Sequence, residues 1–594
     1  MGLNWIFIHQ PDWFNMLNII HIPKRTAGIF DEKCKKAIFR TLFVALILIC
    51  TPGTQANAQI NLPGPADIDR ISPEPFEVKP DREDIEIDGM NALPDIEIPD
   101  AAKQITFFLK DINVEGVSAF KEDEIRQLFT QYLDTEVSLA LAWEIAGKIT
   151  SKYRESGYFL TRAYVPAQEI QNGVIRINVV EGYIGVVEVP NNALSKNRLL
   201  LDLKQELLQQ RPVTSSDLEQ FLLLANDIPG WAVFGTLYPL KDAPDPVVGL
   251  KISAKERKGR GLATINNHGS RFLGPFQSVL QWQDSYFENT QTSLTGSVSV
   301  PADELKYISL LQTFRLLPRL TLNIFGSYVE AEPGHTIEVN DVVSDSKSLE
   351  AELVYQFIRQ RQQNLSIALK LQGKNTNTNI LNDVPLIRDQ VRTLQLITNY
   401  DVFDGLDGFN TIEVNLTQGL DILSAIQPGD PELSRAQAEP EFTKISLSYQ
   451  RQQYLMNNLL LITRAKGQLA SEALFSSQEF GYGGQDYGRP YDPSEITGDH
   501  GIAGAVELRY TGLKAWDLFS YAPYIYYDAG KVWNDDPGSE SESGTSAGIG
   551  VVTNFSENFT GNAVLAFPLT RSISEPLYGN GKNPVLRFGL TYRY

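Results

Sequence analysis

At 594 residues the chain is too long for one ordinary core, so about two to four domains are expected. Hydrophobic residues make up 42%, charged residues 21%, and the mean hydropathy is −0.19, which excludes a collagen, a low-complexity chain and a bundle of membrane helices. A membrane β-barrel stays open, since its lipid face uses only every second residue, while a net charge of −20 argues against a nucleic-acid partner, which needs a basic face.

Residues 1–58 read as a leader. Lys33, Lys35, Lys36 and Arg40 precede an apolar run from Thr41 to Cys50; Pro52 and Gly53 break it, and Ala56-Asn57-Ala58 supplies small residues. That order predicts a secretory signal cleaved after Ala58. The run of about ten residues is too short to span a bilayer, so a membrane anchor is the weaker alternative. Met16 is a candidate start. Cys34 and Cys50 are the only cysteines and both lie in the leader. The mature chain can therefore form no disulfide, cysteine-ligated zinc site or iron–sulfur cluster, and no cofactor or metal is expected.

Residues 59–104 are acidic and rich in proline, with Asp84-Ile85-Glu86-Ile87-Asp88 echoed by Asp95-Ile96-Glu97-Ile98-Pro99. So little apolar surface predicts an extended or disordered, solvated tether. The sharper reading is a docking strand, because alternating isoleucines can add to a sheet edge.

Two small α+β modules follow. In 105–182 a strand (105–117) leads to a helix over 121–134, then a second helix carries Ala142, Ile145, Ala146, Ile149 and Tyr153 at helical spacing. Strands near 161–165 and 174–180 close it, with Gly173 at the turn. Residues 183–256 repeat the β-α-α-β-β order. One helix carries Leu199, Leu200, Leu203 and Leu207; the next starts at Thr214-Ser215-Ser216, where Ser216 and Glu219 have capping-box spacing.

Helical periodicity then stops. In 257–594 one segment after another alternates, as in Leu294, Gly296, Val298 and Val300 against Ser293, Thr295, Ser297 and Ser299. A soluble sandwich alternates too, but these segments suit tilted crossings of about nine to eleven residues. Aromatics such as Tyr328, Tyr400, Tyr449, Trp533 and Phe567 stand near their ends, as in interfacial girdles. In the last segment Leu586, Phe588, Leu590, Tyr592 and Tyr594 share one uncharged face, opposite Arg587 and Arg593. Arginine on a lipid face would cost about 2–4 kcal/mol at mid-bilayer. The length allows about sixteen strands.

The last strand, ending in Tyr594, resembles the recognition signal of bacterial outer-membrane barrels. The order Gln468-Leu469-Ala470-Ser471, Ser476-Ser477-Gln478-Glu479-Phe480, Gly483-Gly484, Gly488-Arg489-Pro490-Tyr491 and Gly498-Asp499-His500-Gly501 resembles the outer-membrane transporters of two-partner secretion, of the haemolysin secretion/activation type, relatives of the barrel-assembly insertases. Tyr153, Gly157-Tyr158, Val165-Pro166-Ala167-Gln168, Gly173 and Glu181-Gly182 resemble a first polypeptide-transport-associated (POTRA) domain. Asn226-Asp227-Ile228-Pro229-Gly230 resembles a second. Asn266-Asn267-His268-Gly269-Ser270 with Gly274 resembles the first barrel strand and its turn.

The resemblance implies two periplasmic POTRA domains and a sixteen-stranded antiparallel transmembrane barrel in outer-membrane lipid, monomeric and inserted by the barrel-assembly machinery. It implies an exported partner, a large β-rich adhesin or haemolysin, secreted without ATP. It also implies a long extracellular loop folded into the lumen with a Val-Arg-Gly-Tyr-type tip. Here Gly488 replaces the valine and Pro490 the glycine, so the tip conformation departs from the pattern. Arg489 is expected to pair with inward-facing Asp528 and hold the loop. A lumen-plugging helix, common in the family, has little room among the prolines of 59–104.

Catalytic signals fail on inspection. Gly544-Thr545-Ser546-Ala547-Gly548 matches a nucleophile elbow, but no histidine follows it. Gly147-Lys148-Ile149-Thr150 lacks the first P-loop glycine, Ala142 standing there. His268, His335 and His500 have no metal spacing. A protein-translocating pore is expected; an insertase for other barrels is the alternative, and a passive solute porin ranks third.

Overall fold

The computed structural model describes residues 62–70, 87–88, 98–190, 193–240, 247–515, 519–535 and 540–594. The leader lies outside these residues, as does most of the acidic segment. Among the described residues no helix is long and apolar enough to cross a membrane.

In the first module, Asp111–Glu115, Val174–Val180 and Arg162–Tyr164 form one sheet, with Val174–Val180 central. The helix expected over 121–134 is shorter: α1 is Glu122–Arg126, followed by a 3-10 turn at Thr130–Tyr132. Asp134 then takes φ +59° and its N–H donates to the Leu109 carbonyl (2.8 Å). That turn leads into Thr135–Ser138, a strand absent from the sequence reading, which pairs with Thr106–Leu109. α2 (Ala140–Glu155) buries Ala142, Ile145, Ala146, Ile149 and Tyr153, the predicted face.

The second module packs α3 (Arg198–Gln209) and α4 (Ser215–Asn226) on a sheet ordered Ile87–Asp88, Trp231–Pro239, Val247–Glu256, Tyr183–Glu188. Ile87–Asp88 adds in parallel beside Gly235 and Thr236, so this part of the acidic segment is a docking strand. The Asn197 side chain caps α3 by accepting from the N–H groups of Leu199 and Leu200. Leu199, Leu200, Leu203 and Leu207 are buried, and Leu203→Ala would cost about 2–5 kcal/mol. The capping box of α4 is Thr214 with Asp217, not Ser216 with Glu219. Thr214 is extended (φ −101°, ψ 161°) while Ser216 is already helical, and only an extended residue can turn its side chain onto the first free N–H groups.

The modules meet at a tight elbow. Leu160 of the first joins the core of the second, and a Cβ on Gly182 would lie 2.3 Å from that of Leu160. The N–H of Ser215 donates to the Gly157 carbonyl (2.9 Å), and that of Val213 to the Gly182 carbonyl (3.0 Å).

Sixteen antiparallel strands, from Arg260–Asn266 to Val585–Arg593, close the barrel; the two-residue strand Leu513–Lys514 adds beside Ser520–Trp533. The alternation sorts as expected. Leu294, Val298 and Val300 are 46%, 44% and 58% exposed, facing out, while Thr295, Ser297 and Ser299 are buried. Three strands, Val343–Arg359, Gln363–Ile380 and Val384–Phe403, have 17, 18 and 20 residues, more than a crossing of about 9–11 requires. Their excess stands at the end away from the modules. The loop between Gly419 and Thr443 covers the exposed edge there, accepting the Arg388 N–H at the Glu432 carbonyl (2.7 Å).

Candidate functional site: the barrel lumen

Two segments fill the lumen. One is the loop between Ala470 and His500, whose short hairpin pairs Phe480–Tyr482 with Ile496–Gly498. Phe480, Tyr482, Tyr491 and Ile496 pack on Ala503 and Val532 of the wall. Glycines make that seat. Gly530 and Gly544 are paired on neighbouring strands, and a Cβ on either would lie within 2.8 Å of the Tyr482 ring.

The loop tip is a turn in which the Tyr491 N–H donates to the Gly488 carbonyl (2.9 Å), with Gly488 at φ +70°. Pro490 therefore costs the turn no hydrogen bond, and the departure from the family tip is accommodated. Tyr491 is buried, and its hydroxyl donates to the Arg571 carbonyl (2.9 Å), with the Thr545 carbonyl oxygen 3.3 Å away.

Arg489 is buried and pairs with Glu507 at 2.7 Å, not with Asp528. Its guanidinium lies 4.0 Å over the Tyr526 ring, and Glu507 also accepts from Nε of Arg509 (3.0 Å). Asp528 does face inward and is fully buried, but accepts from the hydroxyls of Tyr482 (2.9 Å) and Ser546 (2.6 Å). The expected Arg489–Asp528 pair is thus corrected: the loop tip sets the guanidinium over the Tyr526 ring and against Glu507, while Asp528 takes the hydroxyls of Tyr482 and Ser546 at Oδ1. Ser546, the would-be nucleophile, is an orienting donor to Asp528.

At the loop's far side Asp499 accepts the Leu474 N–H (2.8 Å) and pairs with Arg435 of the loop between Gly419 and Thr443. Gly498 closes the hairpin beside Trp533, where a Cβ would lie 2.9 Å from the Trp533 carbonyl oxygen. His500 accepts the Ala470 N–H at Nδ1 (3.2 Å), and its Nε2 lies 2.8 Å from Asp535. Asp492 takes Arg271 (2.8 Å) and Arg587 (2.7 Å), tying the tip to the turn after the first strand and to the last strand.

The second lumen segment is residues 62–70, which the sequence reading assigned to a solvated tether. Pro65, Ala66 and Ile68 are buried, and the prolines do not prevent docking because the segment uses two 3-10 turns, Gly64–Ala66 and Ile68–Arg70, instead of a long helix. Ile68 packs on Leu273, Leu305, Tyr307, Val329 and Ala331. Asp69 bridges Lys374 (2.8 Å), Ser346 (2.6 Å) and Thr376. Arg70 pairs with Glu479, which also meets Arg435 at 3.2 Å. The plug, the lumen loop and a second loop thus share one chain of ions, Arg70, Glu479, Arg435 and Asp499. A Cβ on Gly64 would lie 2.3 Å from the Ser494 carbonyl oxygen, so only glycine lets the segment cross the hairpin there.

The wall is sealed. Gly261 and Tyr594 exchange two backbone bonds at 3.0 Å, five paired positions follow, and Asn267 extends the seam to Leu586 and Phe588. Phe588, Leu590, Tyr592 and Tyr594 share the outer face of that last strand; Leu590, Tyr592 and Tyr594 are exposed.

Motif residues of the modules serve joints. The Tyr153 hydroxyl donates to Glu181 (2.6 Å), which also accepts the N–H groups of Ser118 and Ala119. Tyr158 rings against Tyr153, and Gly157 takes φ +88°. The Gln168 amide pairs with both backbone groups of Arg176 and reaches the Pro166 carbonyl, extending the sheet, while Gly173 (φ +74°) lies against Phe108. Asn226 pairs likewise with Val233, and Pro229-Gly230 turns the chain so that the Gly230 carbonyl accepts the Arg257 N–H (2.8 Å).

Sequence reasoning missed Glu507, Tyr482, Arg435 and the docking of residues 62–70, and it met Glu479 only within a motif and Ser546 only as a rejected nucleophile. Glu507 and Arg509 did carry a signal: two charges on one inward face of His500–Tyr510, two residues apart.

Comparison with known proteins agrees with this architecture. The family model "Haemolysin secretion/activation protein ShlB/FhaC/HecB" matches residues 318–553, and "POTRA domain, ShlB-type" matches 107–182. The chain is 21% identical over 469 residues to the heme/hemopexin transporter protein HuxB of Haemophilus influenzae, covering 76% of this chain and 81% of that relative. It is 22% identical over 486 residues to the outer membrane transporter CdiB of Dickeya dadantii, covering 78% and 83%. The solved structure of CdiB from Escherichia coli superposes with a TM-score of 0.68 at 17% identity, covering 85% of this chain and 93% of that one.

Proposed function

The chain belongs to the two-partner-secretion (TpsB/Omp85) family of outer-membrane transporters, and from that premise we propose that it exports one large β-rich exoprotein through its lumen. It is a transporter and not an enzyme, with its POTRA domains in the periplasm and its barrel in the outer membrane.

The sealed seam carries the reading. With Gly261 and Tyr594 bonded in both directions and Asn267 holding the strand above them, a client has no sideways exit and the lumen is the route. The insertase alternative would have to break that seam for each client. The POTRA domains receive the unfolded exoprotein, residues 62–70 leave the lumen, and the chain threads past the Arg489 tip. Folding outside biases the movement outward, so no nucleotide is needed.

Deleting the gene and comparing secreted proteins tests this. Loss of one large exoprotein, with other barrels assembled normally, is expected. Unfolded barrel proteins accumulating with the secreted set unchanged would replace this reading with the insertase.

A further inference from the structure

Asp227 has a place in the POTRA motif but no assigned role, and its setting in the helix is unfavourable. It is the C-cap of α4, where free carbonyls already present negative charge, and a carboxylate there repels the helix end. Burial makes this worse. The compensation comes from the barrel. Nη2 of Arg359 donates to Asp227 Oδ1 (2.8 Å) and its Nε to Oδ2 (2.9 Å), a two-pronged contact. Nη2 of Arg315 reaches the same Oδ2 at 3.4 Å. Neither arginine is loose: Arg315 also donates to the Pro318 carbonyl (2.6 Å), and Arg359 to Asn364 (3.2 Å). They end two strands separated by a third, so one carboxylate spans two periplasmic turns.

The contacts around it repeat the polarity. Glu206 meets Arg319 (2.9 Å) and Glu219 meets Arg361 (3.3 Å), in both the acid from the second POTRA domain and the arginine from a barrel turn. Ser216 accepts from Gln360 (2.7 Å), and Asn197 donates to Asn289 (2.7 Å). Ser216 and Glu219, freed from capping by Thr214 and Asp217, are used here.

We propose that Asp227 is the positioning residue that locks the second POTRA domain onto the barrel turns, so that the exported chain reaches the lumen at one fixed angle. The export half of this statement rests on the function proposed above; the locking half does not.

The test uses the full-length protein with spin labels on the first POTRA domain and on a periplasmic turn. In Asp227→Ala the inter-label distance distribution is expected to broaden, and export to fall at least about tenfold, while heat-modifiable migration shows the barrel still assembled. Arg315→Ala with Arg359→Ala should behave alike. The charge swap Asp227→Arg with Arg359→Asp should restore a narrow distribution and export, which a merely structural role for the aspartate would not. A narrow distribution in Asp227→Ala overturns the lock. A broad distribution with undiminished export overturns the positioning role. If the wild type exports nothing, the distances still decide the lock, and the function falls separately.

Discussion

At the periplasmic end of the barrel, acids from one folded body meet arginines from another: Asp227, Glu206 and Glu219 against Arg359, Arg319 and Arg361. At the extracellular end the signs alternate along Arg70, Glu479, Arg435 and Asp499, joining residues 62–70 to two loops of the barrel. Residues 62–70 bury only a few apolar side chains, so ions supply much of their hold. The POTRA domain, by contrast, keeps its own leucine core whether or not it touches the barrel. Similar chemistry thus holds a domain with its own core at one end and a short segment at the other, and the difference lies in what each ion pair is attached to.

The largest effect expected concerns the tip. Glu507→Ala leaves Arg489 and Arg509 without their counter-charge and should cost loop docking about 3–5 kcal/mol, read as new protease cleavage between Ala470 and His500. Asp528→Asn should cost less, about 1–3 kcal/mol, because the amide oxygen still accepts from Tyr482 and Ser546. Equal effects would erase the distinction between the two carboxylates.

Next comes the plug. Glu479→Gln removes the charge shared by Arg70 and Arg435 and should loosen residues 62–70 by about 1.5–3 kcal/mol. Planar-bilayer recordings should then show more frequent open-channel events, with the periplasmic joint unchanged.

Acid also probes the joint. Burial pushes the Asp227 carboxyl up, but Arg359 and Arg315 outweigh it and hold it below the usual range. A carboxyl depressed on folding stabilises above its unfolded value, near 3.9, and loses that contribution as pH falls through the folded value. The label distances should therefore stay narrow from neutral pH to about 4 and broaden only below it. The smallest effect is expected for Pro490→Gly, about 0.4–1 kcal/mol of lost tip stability, from a freer unfolded chain and not from any lost bond.

The barrel and both modules were legible because their signals are periodic. Alternation in 290–300 and helical spacing in α2 and α3 each repeat several times over. Short or aperiodic features were not. Thr135–Ser138 has four residues and turns on one positive φ at Asp134. The capping box of α4 was displaced by two residues, since Thr-x-x-Asp and Ser-x-x-Glu overlap there. The plug looked like tether because proline content distinguishes helix from non-helix, not buried from exposed. The Arg489 partner depends on how deep the loop tip sits among the strands, and one chain read alone carries no inter-strand register.

The central claim is that the lumen, vacated by residues 62–70, is the export path. The Ser270 hydroxyl donates to the Pro65 backbone carbonyl at 2.5 Å, which sets residues 65 and 270 side by side, so a short bis-methanethiosulfonate reagent can bridge Pro65→Cys and Ser270→Cys and tie residues 62–70 to the turn after the first strand, Cys34 and Cys50 being replaced by serine. Export by this variant should stop when the bridge forms and return on reduction, with either single cysteine exporting normally. Undiminished export by the bridged protein would contradict the account.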